Sequence, residues 1–176
     1  VIGAGAAGMM AAGTAARSGR RVLLIEKMDK SGRKVRITGK GRCNVTNARP
    51  AEEFAAQVRT NAEFLGQDFA EFNNRAAIRF FEKAGVKLDI ERGERVFPKS
   101  GKAWDIANAL LEFCVENGVK IIYNTRVTEI LTLGDRVFGV KYINRRGFER
   151  KEECPQVIVA TGGVSYPATG STGDGY

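Results

Sequence analysis

An apolar start that runs into a glycine turn, a second apolar strand that ends in an acid, and a late apolar strand that ends in Thr-Gly-Gly together predict an α/β protein. The fold class they point to is a Rossmann-like, doubly wound nucleotide-binding domain with a small β-meander. The first signal is GAGAAG, in which Gly3, Gly5 and Gly8 stand between the apolar residues 1–2 and a helix of small residues over 6–18. Each glycine has a physical reason to be there, in turn a tight turn, close approach of backbone to a pyrophosphate, and close packing of helix on strand. The pyrophosphate then rests on the helix N-terminus, at Ala6 and Ala7, where free N–H groups and the dipole favour an anion.

Residues 21–25, RVLLI, are a continuous apolar run bounded by charges, as a parallel strand covered on both faces requires. Strand, helix and strand make a βαβ unit. Glu26 closes the second strand 18 residues beyond Gly8. An acid there accepts hydrogen bonds from an adenosine ribose and disfavours a 2′-phosphate, so Glu26 and its neighbour Lys27 join the candidate site, with FAD or NAD favoured over NADP. Residues 29–50 show no helical or strand period and read as a long functional loop.

From 51 to 84 the apolar residues recur at spacings of three and four, which predicts helices, with Asn73 or Asn74 as an N-cap and Gly85 as a stop. A hairpin turning at Arg92-Gly93 follows, and then a helix from about 102 to 117 with Ser100 as cap and Gly118 as stop. Residues 119–123 and 127–132 read as strands, and 136–144 with 148–153 as a meander hairpin. Residues 156–160, QVIVA, read as a buried strand ending at Thr161-Gly162-Gly163.

The net charge of +8 makes nucleic acid the first partner to weigh. No zinc-finger spacing, RNP motif or helix-turn-helix pattern accompanies it. The densest basic cluster, Arg33, Lys34, Arg36, Lys40 and Arg42, falls where a dinucleotide pyrophosphate is expected, so a nucleic-acid partner is not expected. No apolar run approaches the roughly 18 residues that span a bilayer, and no signal-peptide pattern opens the sequence, so no membrane partner and a cytoplasmic location are expected. Cys43, Cys114 and Cys154 form no CxxC pair, and an odd count argues against a disulfide framework or a zinc site, so no metal is expected. Histidine is absent, which removes the usual acid–base catalyst; no catalytic residue is assigned.

The run VIVATGG, 157–163, separates FAD from NAD. In two-dinucleotide-binding flavoproteins an apolar strand ending in Ala-Thr-Gly returns to the same FAD, which sets Ala160, Thr161, Gly162 and Gly163 beside pyrophosphate and ribose. A simple NAD dehydrogenase needs no such strand. In that architecture a strand after a Gly-Val turn sets one residue, here Val127, beside the adenine.

GRKVRITGKGRCNVTN (32–47), RVFPKSGKA (95–103) and ATGGVSYPATGSTGDGY (160–176) resemble the motifs of the BaiN-like flavoproteins, also known as the aminoacetone-oxidase or "NAD(FAD)-utilising" dehydrogenase family, in order along the whole sequence. The resemblance implies a doubly wound FAD domain distantly similar to fumarate reductase flavoproteins. It also implies that the sequence is a piece of that protein, cut at both ends, with an inserted substrate domain and a last FAD-contacting segment following residue 176. Residues 1–176 are then one FAD-binding domain containing the helical segment 51–84. By the same resemblance Thr38, Gly39, Gly41, Arg42, Cys43 and Asn44 line the pyrophosphate and flavin side, Arg33 and Lys34 lie near the adenosine end, and Asp174 lies near the ribityl chain or pyrophosphate. Cys43 has no partner cysteine and reads as a close-packed residue, and FPKS as a turn from hairpin into helix.

The expected activity is that of an FAD-dependent oxidoreductase, moving hydride between NAD(P)H or a small organic donor and a small organic acceptor, a conjugated alkene or an amine. The alternative is an FAD-dependent nucleic-acid-modifying protein, or a nucleotide-binding protein without catalysis.

Overall fold

The structure, a computed structural model, describes residues 1–176 apart from the side chain of Ala55. In chain order its elements are α1 (Ala6–Arg17), β1 (Leu23–Ile25), α2 (Arg33–Gly41), β2 (Thr46–Asn47), α3 (Ala51–Ala55), α4 (Ala62–Glu71), α5 (Asn74–Lys83), β3 (Leu88–Glu91), β4 (Arg95–Pro98), α6 (Ala103–Glu116), β5 (Lys120–Ile122), β6 (Arg126–Leu133), β7 (Arg136–Ile143) and β8 (Glu149–Glu153). They fall into two compact units, Val1–Val35 with Leu110–Tyr176, and Arg36–Ala109.

The first unit is built on parallel pairing. β1 runs parallel to β5, with Leu24 opposite Ile121. Ile2 bridges Ile25 on one side and Val159 on the other, both in parallel. Across the sheet the order is therefore residues 158–160, residues 1–2, β1, β5. The chain steps outward from the first strand and then returns to its other side, and that reversal is the topological switch point of a doubly wound sheet, where ligands bind beyond the carboxyl ends. Leu24 and Ile25 are buried, as RVLLI requires, and α1 buries Gly8, Met9, Ala12 and Gly13. Gly13 admits the ring of Phe113: a Cβ there would stand 2.4 Å from it. The Cys114 thiol donates to the Met9 carbonyl at 3.1 Å.

Residues 156–160 depart from expectation. They make one parallel bridge rather than a regular strand, and Ile158 and Val159 are 43% and 51% exposed. Their backbone pairs with residue 2 on one side, and about half of each of these two side chains stays exposed, so the apolar run is correctly placed as an extended segment of the sheet and wrongly expected to be buried. The meander is antiparallel in the order β6-β7-β8, with a register break between Val127 and Glu129.

The second unit holds an antiparallel sheet, β2-β4-β3, with Val96 and Phe97 of β4 buried. Asn73 caps α5, accepting from the Ala76 amide at 3.0 Å, while Asn74 anchors the helix by donating to the carbonyls of Asn47 and Arg49. Ser100 accepts from the Lys102 amide and donates to Asp105 at the start of α6.

The expected loop over 29–50 is a correction: it contains α2 and β2. α2 buries none of its residues, so it leaves no apolar period to detect, and its backbone leaves helical geometry at Thr38, Gly39 and Lys40.

Candidate dinucleotide site

In the first unit the glycine turn does three separable things. Gly3 takes φ +95°, a conformation favouring glycine, and a Cβ on it would stand 2.6 Å from the Ala160 carbonyl oxygen. A Cβ on Gly8 would stand 1.8 Å from the Gly3 carbonyl oxygen, so this glycine sets how closely α1 sits on the turn. Gly5 is different. It is the N-cap of α1 in an extended conformation, and a Cβ on it would meet nothing within 4 Å.

No side chain caps α1, no acid stands in its first turn, and Ala6 and Ala7 are exposed. A helix N-terminus carries N–H groups without intrahelical partners. Here the Gly5 Cβ position is unobstructed and Ala6 and Ala7 are exposed at the carboxyl ends of the parallel strands, an arrangement that suits a pyrophosphate.

Glu26 is buried and tied down. Its Oε2 accepts from the Ala4 amide at 2.7 Å and its Oε1 from the Met28 amide at 2.9 Å. The acid is therefore bonded into the glycine turn itself. Each oxygen keeps acceptor capacity for a ribose hydroxyl. On the other flank the Ala160 amide donates to the Ile2 carbonyl at 2.9 Å, which brings Thr161, Gly162 and Gly163 to the switch point beside Gly3. Val127 lies half-buried on β6, opposite Tyr142.

The basic residues expected at the adenosine end are engaged by the chain's own last segment. Lys27 donates to Thr172 Oγ1 at 2.6 Å and pairs with the Asp174 carboxylate. Arg33 pairs with Asp29 at 2.9 Å and donates to the Ala168 carbonyl, and Lys34 donates to the Ser165 carbonyl. Hydrogen bonds from Lys27 and Thr172, with the charges of Lys27 and Arg126, hold the Asp174 carboxyl below its ordinary range. Asp174 thus stands against the residue that follows the buried acid. Thr172, Ser165 and Ala168 lie inside the motif 160–176, but nothing in its spacing announces that they meet Lys27, Lys34 and Arg33.

In the second unit, residues 38–44 form a tight turn of their own. The Cys43 amide donates to Thr38 O at 2.9 Å and the Arg42 amide to Gly39 O at 3.2 Å. Gly39 has φ +55°, and a Cβ there would press on the Asn44 amide at 2.9 Å. Cys43 is buried with φ +58°, and burial pushes its thiol pKa up, with a hydrogen bond from Thr38 opposing. The Asn44 carboxamide, with its nitrogen turned to the carbonyls, donates to Thr46 O at 3.0 Å. Gly41 has φ +84°. Arg42 pairs with Glu91 and lies 4.3 Å over the Phe97 ring, and Arg36 lies 3.8 Å over Trp104. Neither Glu91 nor Trp104 is legible as a site partner in the sequence. Among the described residues no cluster of three His, Cys, Asp or Glu could hold a metal, and no helix is long and apolar enough to cross a membrane.

A parallel sheet with this switch point, this glycine turn and this buried acid defines a Rossmann-like domain of the FAD-binding kind. Residues 1–176 match the family described as the HI0933-like protein Rossmann domain, and the chain belongs to that family, the one its motifs resemble. It is 32% identical to the ribosomal RNA dihydrouridine synthase of Escherichia coli (strain K12), covering 100% of this chain and 42% of that protein. It is also 32% identical to the 3-dehydro-bile acid delta(4,6)-reductase of Clostridium scindens, covering 100% of this chain and 41% of that one. The chain thus spans less than half the length of these relatives. Among solved structures, the 3-ketosteroid-delta4-(5alpha)-dehydrogenase of Rhodococcus jostii RHA1 superposes with a TM-score of 0.71 at 19% identity, over 94% of this chain and 45% of that one, a likeness of fold.

Proposed function

We propose that the chain is the FAD-holding part of an oxidoreductase that adds or removes hydride at a carbon–carbon double bond conjugated to a carbonyl. The observation that carries the cofactor reading is the uncapped α1 N-terminus at Gly5, open to an anion and flanked by the buried Glu26 carboxylate. The return of residues 158–160 to the far side of residue 2 closes the switch point from its second flank, as in dinucleotide-binding sheets generally, and the Ala-Thr-Gly-Gly that ends the run, 160–163, is what supports FAD over NAD.

Gly5, Ala6 and Ala7 would receive the pyrophosphate, with Gly3 and Gly8 fixing the turn beneath it. Glu26 would accept the ribose hydroxyls and Val127 would stand at the adenine. Ala160 to Gly163 would border the cofactor on the other flank, with Thr38, Gly39, Gly41, Arg42, Cys43 and Asn44 on the flavin side. Arg33 and Lys34 would lie near the adenosine end, Lys27 beside Glu26, and Asp174 near the ribityl chain or pyrophosphate. When bound, FAD supplies hydride transfer; the chain's own residues bind, orient and shield it.

The substrate chemistry rests on what the named relatives share. Uridine to dihydrouridine, and a dehydro-bile acid to its reduced form, are both saturations of an alkene conjugated to a carbonyl. NADH or NADPH is the proposed donor. Full-length protein should purify yellow, be bleached by NADH or NADPH without oxygen, and be recoloured by a conjugated enone. A colourless protein that takes up no FAD refutes this reading.

A second reading, with RNA as the carrier of the reduced base, is favoured by the charge of +8 and by the name of the Escherichia coli relative. Retention of structured RNA with a steep loss of affinity on adding salt supports it. Reduction of free enones at equal rates with and without RNA argues against it.

A further inference from the structure

The last segment of the first unit is a closed loop with an unusual path. It leaves the switch point at Thr161 and Gly162 and passes Lys34 at Ser165 and Arg33 at Ala168. It then presses Gly170 onto Met28, where a Cβ would stand 2.8 Å from the Met28 side chain. Thr172 and Asp174 meet Lys27, and the loop then comes home: a Cβ on Gly175 would stand 2.6 Å from Thr161 Oγ1. Its middle is seated, since Ser171 is buried and lies 3.5 Å from where a Gly162 Cβ would be. Ends that close on themselves around their own side chains make this a compact surface loop of the omega kind.

Topology says what it crosses. Thr161 ends the fourth strand of the sheet and Lys27 follows the end of β1; the first strand, ending at the Gly3 turn, lies between them. A segment anchored at both therefore spans the carboxyl end of the first strand, outside which a dinucleotide lies in such sheets.

We propose that residues 161–176 are a strap across the dinucleotide, and that Lys27, Thr172 and Asp174 are its latch. The latch works on retention: the nucleotide leaves when the strap lifts, and the strap lifts when the Lys27 ammonium lets go of Thr172 and Asp174. Lys27 and Asp174 are accordingly positioning residues, acting on the cofactor through the strap. This rests on the cofactor reading above.

The test is the rate of FAD release from full-length holoprotein, followed by flavin fluorescence after dilution into excess of a flavin-binding acceptor. D174N keeps the shape of Asp174 and removes its charge, T172V removes the hydroxyl acceptor, and K27D/D174K exchanges the charges. The latch predicts release faster by roughly fivefold in D174N, the size of one partly exposed ion pair with its hydrogen bond, at unchanged association rate. T172V should show a smaller increase, and the exchange should restore slow release. Sodium chloride should speed release from the natural protein and not from D174N. Release rates that ignore D174N and T172V overturn the latch, as does a loss confined to association. If D174N fails to fold, T172V and the salt response of the natural protein decide in the same way. A full-length protein that binds no FAD refutes the cofactor reading and the latch together; a flavoprotein indifferent to Asp174 refutes the latch alone.

Discussion

Gly5→Ala separates fold from function at a single methyl group. At Gly3 and Gly8 a Cβ collides with backbone oxygens, at 2.6 and 1.8 Å, whereas at Gly5 it meets no protein atom within 4 Å. The backbone of Gly5, φ −76° and ψ −173°, is open to any residue. Alanine is a poorer N-cap than glycine but restricts the unfolded chain, so the net change in stability of the cofactor-free protein should stay within roughly 1 kcal/mol. The methyl group stands where an anion must approach the α1 amides. Pushing a pyrophosphate away weakens one or two charge-assisted hydrogen bonds of about 1.5–3 kcal/mol each, a loss of roughly ten- to a hundredfold in FAD affinity. The assay is flavin titration of full-length apoprotein beside urea unfolding of the same sample. A Gly5→Ala protein of natural stability that binds FAD as tightly as the parent refutes the placement of the pyrophosphate at α1.

Gly8→Ala should do the opposite, destabilising the apoprotein by at least roughly 1–3 kcal/mol because α1 must move off the Gly3 carbonyl, and urea midpoints measure it. Glu26→Gln sets an amide NH2 against the Ala4 or Met28 amide, so it should cost roughly 1–3 kcal/mol in the absence of any nucleotide. Natural stability with weakened FAD binding alone would make Glu26 a ligand without a structural role. Because its partners lower the Asp174 pKa, the stability of the latch is complete above the ordinary Asp value of 3.8 and is lost as pH falls through the lower folded value. FAD release should therefore be flat from about pH 8 to about pH 5, and acceleration inside that window would show that another group titrates.

What the sequence disclosed depended on whether a residue's role leaves a local pattern. The glycine turn, RVLLI and Asn73 do, because turn geometry, two-sided burial and helix capping each demand a residue type at a fixed place. α2 leaves none, since it buries no face and its charged residues look like loop. The run 156–160 misleads in the other direction: its composition is that of a covered strand, but coverage is a property of neighbours. The contacts of Lys27 and Arg42 span 147 and 49 residues along the chain, so no spacing could announce them.

The same contacts change what the positive charge means. Arg33 and Arg42 belong to the basic cluster expected at a diphosphate and Lys27 to the candidate cofactor site, yet each has a carboxylate in its own unit, Asp29, Glu91 and Asp174 respectively. A guanidinium or ammonium already paired adds little to the field at a neighbouring site, and what it adds is screened by salt. The backbone N–H groups at α1 have no such competitor among the side chains of the described residues. On the proposed cofactor reading, recognition of the dinucleotide would therefore belong mainly to main-chain donors fixed by Gly3, Gly5 and Gly8, and the paired cations would shape the loops around them. That division would let a basic chain carry a nucleotide site whose chemistry does not depend on its net charge.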